Sequence, residues 1–283
     1  MKFPTHAIIP TAGFGTRMLP LSKAVPKELL PLGNKPAIQY VIAAGIKNIV
    51  LVNHAQKQAI ENYFDTNSEL DTQLRSKGKN KLADSLDFLP KDVKIISVRQ
   101  GRPLGLGHAV LQGHAVIGDN PFAVLLPDVV LDPFAGQYAT KNLTFMLEQY
   151  AKTKRSQILV DPVAVEDIDK YGIAELENQQ NIVKSDTNKT FAVKGFVEKP
   201  SPNVAPSNLA VVGRYVFDNA IFDYLEKTAP SVGGEIQLTD AIDALIGSQG
   251  VDVVTMTGNS FDAGDMQSYI KAFMHFANQQ ISL

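Results

Sequence analysis

The chain predicts an α/β fold: a Rossmann-like, mostly parallel mixed sheet flanked by helices, with a small β-rich portion in its later half. Three observations carry this. Short apolar runs with strand character recur at residues 7–9, 48–53, 93–98, 122–126 and 157–160. Helical patterns such as 56–64 and 107–116 separate them, and strands alternating with helices imply βαβ units. Between residues 171 and 213 the pieces become shorter and β-prone, at 173–176, 191–197 and 209–212. No repeat, low-complexity tract or composition break divides the chain. The reading is one domain over 1–283, with a first part at about 1–135, a second at about 155–265 and a last helix at about 266–283.

Taken in order, the first strand breaks at Pro10 into TAGFGTR, which places Ala12, Gly13, Gly15 and Arg17 at the carboxyl edge of the sheet, where ligands of such sheets bind. Glycines there let the backbone approach a phosphate or a base, because no Cβ blocks it. Arg17 adds a planar fork for phosphate oxygens, and Lys27, in PKELLP, a mobile point charge. The third glycine of a dinucleotide fingerprint is missing, since Met18 follows Arg17, and no Gly-Lys-Ser/Thr follows. With no evident catalytic His–carboxylate pair either, an NAD-dependent dehydrogenase is a distant reading.

Residues 37–44 are a short crossover. As a helix they span only about 12 Å, against about 17–20 Å for a typical strand. Residues 66–90 are charged, with leucines at helical spacing (Leu70, Leu74, Leu82, Leu86) and basic residues at 75–81. Without interleaved aromatic residues this reads as a solvated helical excursion, not a nucleic-acid patch.

In VRQGRPLGLGHAV, Gln100 ends a strand, and Gly105 and Gly107 open a helix at His108. A glutamine amide offers donors and acceptors that suit the edge of a uracil ring. In FAVLLPDVVLD a buried strand ends at Pro127-Asp128, and a carboxylate at that edge suits Mg²⁺, a hard cation that takes a few carboxylates plus phosphate oxygens. Asp132 is a nearby decoy, and although any strand-end aspartate could cap the next element, the first loop favours Asp128 as a metal ligand.

The 283 residues suffice for a full core, and 45% hydrophobic with 20% charged residues is ordinary for a globular protein. A net charge of −2 gives no global field for nucleic acid or an anionic membrane. Zero cysteines exclude disulfides, thiolate metal sites and a cysteine nucleophile. No run is long enough to cross a bilayer, and MKFPTHAIIP is too weakly apolar for a secretory signal. A cytoplasmic protein is expected.

The pairing of GFGTR with PKELLPLGNKP resembles the signature of the sugar-1-phosphate nucleotidylyltransferases. RQ followed by GLGHA is similar to the base-reading segment of their bacterial UTP–glucose-1-phosphate uridylyltransferase branch. DKYGIAEL, GFVEKPSP, LAVVGRYVF, GGEIQLTDAI and SFDAGD follow in family order, so the resemblance runs almost from end to end. It implies a nucleotide-binding first part and a sugar-binding second part. Arg17 and Lys27 act on the phosphates, with Ala12, Gly13, Gly15, Gln100 and Gly105 around the nucleotide. Gly172, Glu198, Lys199 and Gly213 hold the sugar phosphate, and Asp128 with Asp262 the Mg²⁺. A Glu-Lys-Pro triplet alone would be read as a surface ion pair.

The implied reaction joins UTP and glucose 1-phosphate to give UDP-glucose, a precursor of cell-envelope polysaccharides, and pyrophosphate. A homo-oligomer, dimer or tetramer, with neither nucleic-acid nor membrane partners is implied too. The alternatives are a thymidylyltransferase using dTTP, since thymine shares the edge Gln100 would read, and a catalytically inactive nucleotide-sugar-binding homologue. Relative to the family, the chain is about one helical turn shorter after Val41, and it lacks a phosphate-binding Lys after Asp265.

Overall fold

A period of two along the apolar runs decides which face of the sheet each residue covers. The computed structural model describes residues 3–42, 45–134, 136, 138–178 and 180–281. Its strands are β1 (His6–Pro10), β2 (Pro31–Leu32), β3 (Lys35–Pro36), β4 (Asn48–Asn53), β5 (Lys94–Arg99), β6 (Phe122–Leu125) and β7 (Val129–Leu131). They continue as β8 (Ser156–Pro162), β9 (Gly172–Leu176), β10 (Thr190–Glu198), β11 (Leu209–Phe217), β12 (Val251–Thr255) and β13 (Ser260–Asp262). Nine of them form one sheet in the order β5-β4-β1-β6-β11-β8-β12-β10-β9.

Ile8, Val50, Val52, Phe122 and Val124 pack on one face, against Val110, Phe222 and Leu245 from helices Gly105–Gln112, Ile221–Lys227 and Leu238–Gln249. Their neighbours Ala7, Ile9, Ile49, Leu51, Ala123 and Leu125 pack on the other. There Ile38, Ile60 and the Leu143, Met146, Leu147 and Tyr150 stripe of helix Tyr138–Thr153 cover them. Strands buried on both faces read as continuous apolar runs, which is why they were visible in the sequence.

The sheet is mixed, as expected, but it is mostly parallel only in the first part, because the strands of the second part are joined largely to antiparallel neighbours. Pairing is parallel across β5-β4-β1-β6 and between β8 and β12. By contrast β11 runs antiparallel to β6 and β8, and β10 antiparallel to β12 and β9. The connections β9–β10 and β10–β11 carry no crossover helix among the described residues, and antiparallel neighbours need none.

The short crossover forms a 3₁₀ helix, Ala37–Val41, and its expected end at Ala43 and Ala44 lies outside the described residues. Helices Ser68–Ser76 and Asn80–Asp84 form the excursion, and the first buries no side chain. The expected helix 107–116 starts earlier, at Gly105, and is divided at Gly113. At the C-terminal end, Phe276 and Ala272 of helix Met266–Ile281 pack with Leu32 of β2 and Val130 of β7. This small core braces the antiparallel β7–β13 pair, which carries Asp262 opposite Val129.

Candidate active site at the carboxyl edge of the sheet

Two adjoining cavities open here, the first at the carboxyl ends of β1, β5 and β6 and the second beside β9, β10 and β11. The first, about 520 Å³, is lined by Ala12, Gly13, Arg17, Lys27, Gln100, Gly105 and Asp128. The second, about 290 Å³, is lined by Arg17, Asp128, Gly172, Glu198, Lys199, Gly213 and Asp262. Both are of the size that small ligands occupy. Of the residues expected to form the site, only Gly15 lines neither.

Gly15 serves the turn. It has φ +66°, the left-handed region, and its carbonyl accepts a 2.8 Å hydrogen bond from Ser22 Oγ. Gly13 has no atom within 4 Å of where a Cβ would stand, so packing leaves that space open beside the cavity. Gly105 has φ +94°, and a Cβ there would come within 2.9 Å of the Ile236 carbonyl. Its identity therefore has a packing reason in addition to any ligand contact.

Gln100 is buried just past β5. Its Nε2 donates to the Gly105 carbonyl at 3.2 Å and lies 2.9 Å from His108 Nδ1. With the amide nitrogen committed inside the protein, the carbonyl oxygen is the atom suited to accept a hydrogen bond from a ligand. Burial holds the His108 pKa below its ordinary value, which favours the neutral ring this contact requires.

In the second cavity, Glu198 ends β10 directly opposite Gly172 of β9. A Cβ on Gly172 would stand 3.2 Å from Glu198 Oε2, so glycine keeps room for the carboxylate. Lys199 pairs with Glu198 at 3.1 Å and has φ +46°, rare for a non-glycine residue. Its amide donates to the Tyr171 carbonyl at 3.0 Å. Gly213, at φ +67°, sits where β11 shifts register, and a Cβ there would come within 2.9 Å of Leu126 Cδ1.

Charge concentrates where the cavities meet. Lys27 Nζ contacts Asp128 Oδ2 at 2.5 Å. Burial works against the Lys27 charge, but Asp128 and Glu28 more than offset it, and its pKa is raised. Burial likewise pushes Asp128 up, and Lys27 outweighs it, holding Asp128 below the usual carboxylate range. Asp262 is raised by burial and by the nearby Asp128, although the Gly264 amide donates to its Oδ1 at 2.6 Å. A Cβ on Gly264 would stand 2.9 Å from Asp262 Oδ1, 3.1 Å from an Arg17 guanidinium nitrogen and 3.2 Å from Asp128 Oδ2. Two carboxylates and one guanidinium therefore border the same small volume.

This donor set fits Mg²⁺. Among the described residues no group of three or more His, Asp or Glu side chains is placed to hold a metal. Two carboxylates that leave the remaining positions to phosphate oxygens and water are what Mg²⁺ accepts.

Several residues that the sequence reading passed over support the site. Arg214, buried on β11, donates to the carbonyls of Leu126 at 2.9 Å and Val129 at 2.6 Å, which flank Asp128. Burial lowers its pKa to about 10, so it stays charged at neutral pH. Asp161 lines the second cavity and is bonded by Lys184, yet its buried Oδ1 has no protein partner. Lys57 and Glu28 form a buried ion pair at 2.9 Å behind the first loop. Arg214 directly follows Gly213 in LAVVGRYVF, but nothing in a single sequence marks which charges turn inward.

Residues 6–279 match the family model described as Nucleotidyl transferase. The chain belongs to the nucleotidyl transferase family. It is 51% identical over 275 residues to the UTP--glucose-1-phosphate uridylyltransferase of Haemophilus ducreyi, covering 95% of this chain and 92% of that protein. It is 48% identical to the protein of the same name from Escherichia coli K12, covering 95% and 89%. Its structure resembles the UTP-bound UGPase of Acinetobacter baumannii at a TM-score of 0.87 and 43% identity, over 96% of this chain and 93% of that one. In this nucleotidyl transferase the resemblance read from the motifs is borne out, as is the fold. An inactive homologue is disfavoured by the intact meeting of Lys27, Asp128, Asp262 and Arg17.

Proposed function

We propose that this nucleotidyltransferase moves a uridylyl group from UTP to glucose 1-phosphate, giving UDP-glucose and pyrophosphate. The observation that carries this is the shared wall of the two cavities, where Arg17 and Asp128 line both. A nucleotide in the first cavity and a sugar phosphate in the second bring their phosphates together at that wall. A phosphate oxygen of glucose 1-phosphate attacks the α-phosphorus of UTP. The α–β bridging bond breaks on the opposite side, and its electron pair leaves with pyrophosphate. The attacking group is already an anion at neutral pH, so no protein base or nucleophile is required, and the work is positioning and charge neutralisation.

Arg17 holds the triphosphate, and Lys27 shields the α-phosphate from the incoming anion. The Gln100 carbonyl oxygen accepts the N3–H of uracil, and the backbone at Ala12, Gly13 and Gly105 lies along the nucleotide. Glu198 accepts from sugar hydroxyls, helped by the room left at Gly172, with Gly213 in the same cavity wall, while Lys199 pairs with the sugar phosphate. Asp128 and Asp262 would hold Mg²⁺, whose charge neutralises phosphate oxygens. We also propose a cytoplasmic homo-oligomer. The absence of cysteine is consistent with a reducing compartment. Ile270, Phe273 and Met274, exposed at helical spacing on the last helix, support an assembly surface.

A pyrophosphate-release assay that crosses UTP and dTTP with several sugar 1-phosphates tests the reading. The expected preference is UTP with glucose 1-phosphate. A higher kcat/KM with dTTP would transfer the assignment to the thymidylyl class.

A further inference from the structure

Lys57 lines neither cavity, yet it connects the two segments that carry the phosphate-facing residues of the first. It ends the 3₁₀ helix Ala55–Lys57 and is 8% exposed. Its Nζ donates to the Thr11 carbonyl at 2.7 Å and to both oxygens of Glu28 at 2.9 Å. These contacts use all three donors of an ammonium group. Thr11 opens the loop of Ala12 and Gly13, and Glu28, 2% exposed, immediately follows Lys27 in the helix Lys27–Leu29. The far end is fixed too. Asn53 Nδ2 donates to the Lys57 carbonyl at 3.1 Å, and Thr11 is tied through its amide and hydroxyl to the Val52 carbonyl at 2.8 and 3.0 Å. The end of β4 is thus a common anchor for both segments.

A buried ion pair is a poor source of stability, because desolvation offsets the attraction, and an apolar pair of similar volume commonly serves as well. What an apolar pair cannot do is bind one specific carbonyl and one specific carboxylate at once. Glu28 turns inward to Lys57 while the adjacent Lys27 turns outward to Asp128. The inward contact therefore fixes the short helix from which the outward ammonium projects.

We infer that Lys57 and Glu28 are a positioning pair, which sets the place of the Lys27 ammonium relative to the glycine loop. The inference rests on the proposed role of Lys27 at the phosphates. Displacements of about 1 Å at such a group cost about 10²-fold in rate. The pair touches nothing in the sugar cavity, so it should act on turnover and leave glucose 1-phosphate binding unchanged.

The test is the double variant Lys57→Met/Glu28→Leu, which removes both charges and leaves neither buried alone. Its melting temperature should stay near that of the parent protein, with KM for glucose 1-phosphate unchanged and kcat lowered about 10²-fold. A folded double variant with kcat lowered by less than about tenfold overturns the inference. Glu28→Asp, which keeps the charge and withdraws it by one methylene, decides the matter should the double variant not fold. A fall of about tenfold or more in kcat at an unchanged melting temperature supports positioning, and a smaller fall rejects it. Lys27→Ala run in parallel separates the two readings. If it retains turnover, the proposed role of Lys27 is wrong. If it loses turnover while the pair variants keep theirs, only the positioning pair is rejected.

Discussion

Lys27 and Asp128, 101 residues apart in the chain, meet at 2.5 Å, and Lys27 lines the first cavity while Asp128 lines both. Each holds the other in its charged form, Lys27 raised and Asp128 lowered in pKa despite burial of both. The carboxylate proposed for Mg²⁺ and the ammonium proposed for the α-phosphate are thus preset with opposite charges side by side.

Removing either cation should disable turnover without unfolding the protein. Lys27→Ala and Arg17→Ala are each expected to lower kcat by about 10²–10³-fold, the usual cost of losing one group aimed at developing charge. Steady-state rates at saturating substrate, with circular dichroism as the fold control, measure this. Near-normal turnover in either variant removes that residue from the mechanism.

Divalent metal should be required absolutely. Chelation with EDTA is expected to abolish turnover, and Asp128→Asn should lose activity that excess Mg²⁺ restores only in part, since an amide keeps the shape but not the charge. Undiminished turnover in EDTA contradicts the charge-neutralisation account.

Arg214 should govern metal affinity from behind. Its hydrogen bonds to the Leu126 and Val129 carbonyls fix the turn that presents Asp128. Arg214→Met is expected to raise the Mg²⁺ concentration for half-maximal activity about 10–100-fold, the usual cost of losing an outer partner of a metal ligand. An unchanged metal titration in a folded variant refutes it.

Acid should weaken nucleotide binding through His108. Gln100 Nε2 needs an unprotonated His108 Nδ1 as acceptor, and burial lowers the His108 pKa. KM for UTP should be flat above about pH 6.5 and rise on acidification below it. Stability follows the same sign. The unfolded chain takes up the proton first, so stability due to the neutral ring is present above about pH 6.5 and lost as pH falls towards the lower folded value. A UTP KM that is constant to about pH 5 would show that this contact does not orient Gln100.

The strands were legible because burial on both faces writes them as uninterrupted apolar runs, and β4 falls on the expected residues 48–53. β11 was not fully legible. The apolar run ends at Val212, yet the strand continues to Phe217, because Gly213 supplies a positive φ and Arg214 satisfies carbonyls instead of facing water. Most of the expected site residues were brought together because they stand at strand ends or in connecting loops, whereas Gly213 reaches the site from inside β11, at its register shift. Lys57 and Glu28 could not be paired in advance. They lie 29 residues apart in chain segments that read as ordinary charged surface, and only the meeting of the segments after β1 and β4 buries them.

The stereochemical course at the α-phosphorus tests the central claim most directly. With UTP made chiral by sulfur at that phosphorus, direct attack by glucose 1-phosphate across the wall shared by Arg17 and Asp128 predicts inversion of configuration in the UDP-glucose analogue. Retention would demand an intermediate on the protein and a nucleophile that this account does not contain.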